Sequence, residues 1–263
     1  MWNLNIESEW EWIEMLKVDL NSDLGESFGH YSIGNDAEII NLVTSVNIAC
    51  GFHAGDPDVM AQTVKKAETA GIGIGAHPGY SDLQGFGRRR MNMSLIEVQH
   101  MITYQVGALE AFTKTKKLHH VKPHGALYNA AAQDHELALA VCRGIQAVDS
   151  ELPLYGLANS ELINAAKEVG IPYVQEVFGD RNYEADGTLV SRARPNAVIT
   201  DPTTIAQRVV KMIEDQTVTA VSGQKVALKP DSVCVHGDNQ AALAIVKTLR
   251  TALKEDGIKT ETW

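Results

Sequence analysis

A single-domain, TIM-like (β/α) barrel of about seven parallel strands is the fold class this sequence predicts, on three observations. From Lys17 onward, short apolar runs alternate with helical patterns, with no second run of independent strands, as a parallel sheet covered by helices requires. The 263 residues, 44% of them hydrophobic and 21% charged, can bury one sizeable core, and barrels of this type commonly run to about 250 residues. Polar side chains end nearly every strand along the chain, whereas an open doubly wound sheet gathers its ligand groups at one switch point.

The first strand, 17–22, alternates polar and apolar residues and leads to Asp23, Gly25 and Glu26. A helical pattern at 34–43 precedes a strand at 45–51 that runs out to His53. The next helix, 57–70, opens on Asp56-Pro57, a cap followed by a proline that tolerates the first helical turn, and stops at Gly71. The strand at 72–77 ends on His77. Its Gly71-Ile-Gly-Ile-Gly-Ala76 run matches a loose dinucleotide fingerprint but starts a strand instead of joining strand to helix, so it is set aside. Ser94-Leu-Ile-Glu97 is a capping box that begins a helix at 94–114. A strand at 119–124 reaches His124, and a helix spans 135–149. A strand at 152–158, a helix at 159–169 closed by Gly170, and a strand at 171–178 follow. Asp201-Pro202 opens a helix at 202–216. The last strand, 226–236, carries a Lys229-Pro-Asp-Ser232 interruption that places its true start near Ser232, and a helix at 238–256 stops at Gly257.

Residues 1–16 differ from the rest, holding three of the four tryptophans beside several acids. They read as a dispensable extension before a barrel domain at 17–263; otherwise Trp2, Trp10 and Trp12 dock on a neighbouring subunit. A net charge of −10 argues against a nucleic-acid surface, and Arg88-Arg-Arg90 is too short to reverse it. No apolar window approaches the roughly 20 residues of a membrane span, and no signal-peptide pattern is present, so a cytoplasmic protein without membrane contact is expected. Cys50, Cys142 and Cys234 are widely spaced and suggest neither a disulfide framework nor a zinc clip.

In a parallel barrel the C-terminal strand ends converge, which brings Asp23, His53, His77, His124 and His236 towards one face. Imidazole and carboxylate groups serve as acid and base near neutral pH and also ligate divalent metals. Lys122 lies two residues before His124, on the same strand face, and a buried lysine needs an anionic partner. The glycine-bearing loop 79–90 offers Arg88 or Arg89 as a clamp for a carboxylate, and a second loop offers Asp180, Arg181 and Arg192 for substrate contact. His30, His100, His119, His120 and His135 read as surface or structural residues.

Asp19-Leu-Asn-Ser-Asp-Leu-Gly-Glu26, Asn47-Ile-Ala-Cys-Gly-Phe-His-Ala-Gly-Asp56, Gly75-Ala-His-Pro-Gly-Tyr80, Val121-Lys-Pro-His-Gly-Ala-Leu-Tyr128 and Val235-His-Gly-Asp238 resemble the signature blocks of the LamB/YcsF family. The resemblance runs from about Lys17 to Gly257. It implies a barrel of the glycoside hydrolase/deacetylase type that opens 5-oxo-L-proline (pyroglutamate) to L-glutamate at the expense of ATP, as one component of a 5-oxoprolinase beside partner subunits B and C. Asp23, His53, His77 and His124 are then expected to be catalytic. Glu26, Asn47, Arg89, Lys122, Asp180, Arg192 and His236 are expected to bind substrate. The sequence has no G-x-x-x-x-G-K-[ST] loop, which fits ATP being handled with the partners. Two alternatives stand beside this reading: a metal-dependent amide hydrolase with a divalent ion on Asp23, His77 and His124, and a non-catalytic scaffold component.

Overall fold

A computed structural model describes residues 16–235 and 242–263. The expectations for Trp2, Trp10, Trp12 and His236 lie outside the described residues. In chain order the elements are β1 (Lys17–Leu24), α1 (Asp36–Ile39), β2 (Ser45–Ala49), α2 (Pro57–Ala70), β3 (Gly73–His77), α3 (Leu95–Glu110), β4 (His120–Val121), α4 (Gly125–Ala131) and α5 (His135–Gln146). They continue with β5 (Leu154–Leu157), α6 (Glu161–Val169), β6 (Tyr173–Phe178), α7 (Pro202–Asp215), β7 (Thr217–Thr219), β8 (Lys225–Ala227), β9 (Ser232–Cys234), α8 (Ala242–Glu255) and β10 (Lys259–Thr260).

Strands β1, β2, β3, β4, β5, β6 and β9 pair in that order, all in parallel, and β9 returns to β1 to close a seven-stranded barrel. β10 adds in parallel to the start of β1, and β7 with β8 forms a separate antiparallel hairpin. The expected strand at 226–236 is therefore two elements. Its first part pairs with β7, and only Ser232–Cys234 enters the barrel, where the proline interruption placed the start. The expected helix at 34–43 shortens to one turn, and the strand at 119–124 keeps two paired residues before Pro123 breaks the ladder.

The start signals act as the sequence suggests. Asp56 accepts from the backbone N–H groups of Asp58 and Val59, Ser94 and Glu97 form the reciprocal capping box, and Asp201 accepts from Thr204 N–H. Between barrel and helices lies an apolar layer in which Leu20, Val46, Ile48, Val121 and Val233 meet buried residues such as Ile39, Val64, Ile102 and Leu249.

The barrel interior, by contrast, is polar. The two-residue period of β1 sends Asp19, Asn21 and Asp23 inward, and each must find partners because an unsatisfied buried polar group costs several kcal/mol, roughly 2–7. Asp19 accepts from Ser45, Ser232 and Thr44; Asn21 donates to Glu176 and Ser232; Asn47 donates to Asn21 and Asp23 and bonds His120 Nε2. His120 is fully buried here, and Gly75 makes room for it, since a Cβ at Gly75 would overlap the imidazole.

Candidate active site

At the C-terminal end of the barrel, β1 delivers Asp23 and the turn after it delivers Glu26. Asp23 Oδ1 accepts from Asn47 Nδ2 at 2.8 Å and Lys122 Nζ at 3.1 Å, while Oδ2 lies 3.4 Å from His77 Nε2. Lys122 also meets Glu176 at 2.8 Å and donates to Cys234 Sγ at 3.0 Å. Burial opposes its ammonium, but Asp23, Cys234 and Glu176 more than offset this and hold the Lys122 pKa well above its ordinary value. The anionic partner that a buried lysine requires is thus two carboxylates. Tyr128 donates to the other Glu176 oxygen at 2.7 Å.

The three histidines form one cluster. His53 and His124 stack with ring centroids 3.7 Å apart, and His77 meets His124 edge-on. His77 Nδ1 is 2.7 Å from the Lys122 carbonyl and His124 Nε2 is 2.8 Å from the Phe86 carbonyl. A carbonyl oxygen only accepts, so both of these nitrogens carry hydrogens. In the neutral rings this leaves lone pairs on His77 Nε2 and on His124 Nδ1, which lie 2.9 Å apart. Two lone pairs at that distance need a shared proton or a cation between them. Burial pushes the pKa values of His53 and His124 well down, with the neighbouring histidines acting in the same direction.

Ligand atoms of Glu26, His53, His77 and His124 all fall within 4.8 Å of one another. His53 Nε2 is 3.5 Å from Glu26. Three imidazoles and a carboxylate, with two rings fixed by backbone carbonyls, have the composition and outer support of a divalent metal site. The set differs from Asp23, His77 and His124 in that Glu26 and His53 complete it while Asp23 flanks it. The loop after β3 covers the cluster: Gly87, at φ +62°, lies so close that a Cβ there would be 2.6 Å from His53 and 2.7 Å from His124.

Above the cluster opens a cavity of about 430 Å³ whose lining includes Asp23, Glu26, Lys122, Arg88, Arg181 and Arg192. Asn47 lies beneath it, in contact with Asp23. Arg89 points elsewhere, pairing with Asp82 with its side chain 64% exposed, and Arg88 takes the lining position. Asp180 is buried and lines a separate small pocket with Ile205 and Val235 instead of this cavity. Glu176 and Tyr128 are polar residues of the site that the sequence does not single out, as are Asn129, Gln133 and Ser191 of the cavity wall. A single acid inside the apolar run Tyr173–Phe178 was the available signal.

A closed parallel barrel that gathers carboxylates, histidines and a buried lysine at the C-terminal ends of its strands defines an α/β-barrel enzyme. Within that class the chain belongs to the LamB/YcsF family, whose model matches residues 18–263. It is 63% identical over 244 residues to the A subunit of 5-oxoprolinase from Limosilactobacillus fermentum, covering 93% of this chain and 98% of the relative. It is 52% identical over 246 residues to the corresponding 5-oxoprolinase component of Pyrococcus abyssi, covering 93% and 96%. The crystal structure of the lactam utilization protein from Thermus thermophilus superposes with a TM-score of 0.89 at 42% identity, over 94% of this chain and all of that one. Among the described residues no helix is long and apolar enough to cross a membrane.

Proposed function

We propose that this chain is the ring-opening component of a cytoplasmic ATP-dependent 5-oxoprolinase, acting on 5-oxo-L-proline with subunits B and C. The observation that carries this reading is Asp23 set beside the His77–His124 pair at the floor of a polar cavity. The names of the relatives supply the substrate.

A lactam is a resonance-stabilised amide and a poor electrophile, so it must be activated before water can attack. In the proposed division of labour the partners transfer the ATP γ-phosphoryl group to the lactam oxygen. Asp23 then takes a proton from water as the water oxygen bonds to the ring carbon. The carbon–nitrogen bond breaks, its electron pair stays on nitrogen, and the proton returns there through the histidine cluster. The acyl phosphate left behind is hydrolysed by a second water. Overall, the lactam, ATP and two waters give L-glutamate, ADP and phosphate. Lys122 is enclosed by Asp23 and Glu176, so its role is to hold the carboxylates in place; the substrate carboxylate falls to the arginines of the cavity.

The convergent lone pairs favour a second reading. A divalent ion on Glu26, His53, His77 and His124 would supply Lewis acidity for amide hydrolysis without ATP, with Asp23 still positioned to orient the water. Glutamate release is the deciding assay, run with this chain alone, with subunits B and C alone, and with all three. Glutamate only from the full, ATP-supplied mixture supports the 5-oxoprolinase reading. Release by B and C alone would overturn it, and stoichiometric metal with ATP-independent amide hydrolysis would favour the second.

A further inference from the structure

Asn47 has an expected part in substrate binding, yet it lies beneath the cavity and meets Asp23 from inside the barrel. Its amide has two ends. Nδ2 faces the side-chain oxygens of Asn21 at 2.7 Å and Asp23 at 2.8 Å, and both oxygens only accept, the Asn21 amide being fixed in turn by its bond to Glu176. Oδ1 then points at His120 Nε2, 2.6 Å away, and that nitrogen must carry a hydrogen. Burial, followed by the repulsion of His119 and Lys122, holds the His120 pKa well below its ordinary value, so the ring is neutral and its Nδ1 is a lone pair. The Nδ1 of His119, 2.9 Å away, is therefore the donor in that contact. At its other nitrogen His119 meets the Thr262 hydroxyl at 3.3 Å and the Trp263 carbonyl at 3.2 Å.

The result is one chain of donors, His119 to His120 to Asn47 to Asp23, with every link running the same way. Bonds aligned head to tail strengthen one another. The barrel makes room for the chain: Gly75 leaves space for the His120 ring, and Tyr155 stacks on it with centroids 3.8 Å apart. Lys122 supplies charge on Asp23 Oδ1, and the Asn47 amide supplies direction on the same oxygen. We infer that His120 is a positioning residue for ring opening: acting through Asn47, it keeps the Asp23 carboxylate turned with Oδ2 beside His77. Without the imidazole donor the Asn47 oxygen is buried and unpaired, and the amide is released to turn away from Asp23. The inference rests on the ring-opening reading for what Asp23 does and goes beyond it in naming what aims Asp23.

The test has two arms. Long-range proton–nitrogen NMR of the imidazole rings in the purified chain reads the tautomers, with assignments from His119→Leu and His120→Gln. Expected are a hydrogen on Nε2 of His120 and one on Nδ1 of His119; a His120 hydrogen on Nδ1 at neutral pH would overturn the inference. The second arm is steady-state glutamate formation in the three-subunit mixture. His120→Phe keeps an aromatic ring against Tyr155 but no donor, and should lower kcat roughly 10- to 100-fold with an unchanged KM for 5-oxo-L-proline. His120→Gln places an amide N–H near the Nε2 position and should recover most of that loss. His119→Leu, altered at a half-buried position, guards against a folding failure in the core and should lower kcat severalfold at the same KM. Wild-type kcat in His120→Phe, equal losses in His120→Phe and His120→Gln, or losses carried by KM would overturn the inference. No glutamate from the complete wild-type mixture, with the expected tautomers present, counts against the ring-opening reading alone.

Discussion

Lys122 carries one positive charge among Asp23, Glu176, Cys234 and the Asn21 side-chain oxygen, all of them buried or nearly so. Removing the ammonium leaves both carboxylates uncompensated, which typically costs about 3–5 kcal/mol, whereas neutralising Asp23 still leaves the Lys122–Glu176 pair. Lys122→Met is accordingly expected to lower stability by about that amount in chemical denaturation, and a loss under about 1 kcal/mol would show that the carboxylates need no counter-charge. Asp23→Asn keeps the shape and the Oδ1 acceptor but cannot take a proton. Glutamate formation should fall by about 10²–10⁴-fold with an unchanged melting temperature. His124→Ala should abolish activity in the same assay. At this scale the sequence was informative wherever residues stood in step: Lys122 and His124 share a strand face, and the need for an anion followed from burial. Glu176 was not legible, because its role is fixed by strand neighbours distant in sequence, with Asn21 155 residues away.

Elements with their own start signals, α2, α3 and α7, were legible because an aspartate or serine cap is a local device. α4 was not: it begins at Gly125 directly after the β4 turn, and its N-cap His124 makes no capping hydrogen bond. The β7–β8 hairpin was hidden in what reads as one long strand. The glycine run before His77 has a packing explanation in place of a nucleotide one, since Gly75 accommodates His120 and Gly73 approaches His119. Gly75→Ala overpacks the barrel interior and should cost about 1–3 kcal/mol in a thermal or denaturant melt; a neutral effect would mean that the imidazole can move aside. Helices α5 and α6 are tied by His135, which meets Glu161 at 2.8 Å and Glu168 at 3.0 Å. These hydrogen bonds, Glu168 foremost, raise the His135 pKa above its ordinary value. The contribution to stability is therefore complete below the unfolded pKa of about 6.5 and is lost as pH rises through the folded value. The melting-temperature gap between wild type and His135→Gln should be wider at low pH than at about pH 9; an equal gap would rule out the charged pair.

Over the described residues, most apolar packing lies in the layer between helices and barrel, and the barrel interior is given largely to hydrogen bonds that lead upward to Asp23 and the histidines. Strand–helix alternation and polar strand ends were enough to predict this architecture and to place Asp23, His53, His77 and His124 together. The arginine arrangement was only half readable, because loops 79–90 and 178–192 fold back on the cavity through contacts that no local pattern encodes. The central claim is that this chain opens a ring its partners have activated. It is tested most directly by following ADP and glutamate together in the three-subunit mixture carrying Asp23→Asn. The account predicts a burst of about one ADP per complex with little or no glutamate, as the activated lactam forms and waits. Wild-type glutamate release, or the absence of both products from a properly assembled complex, would contradict it.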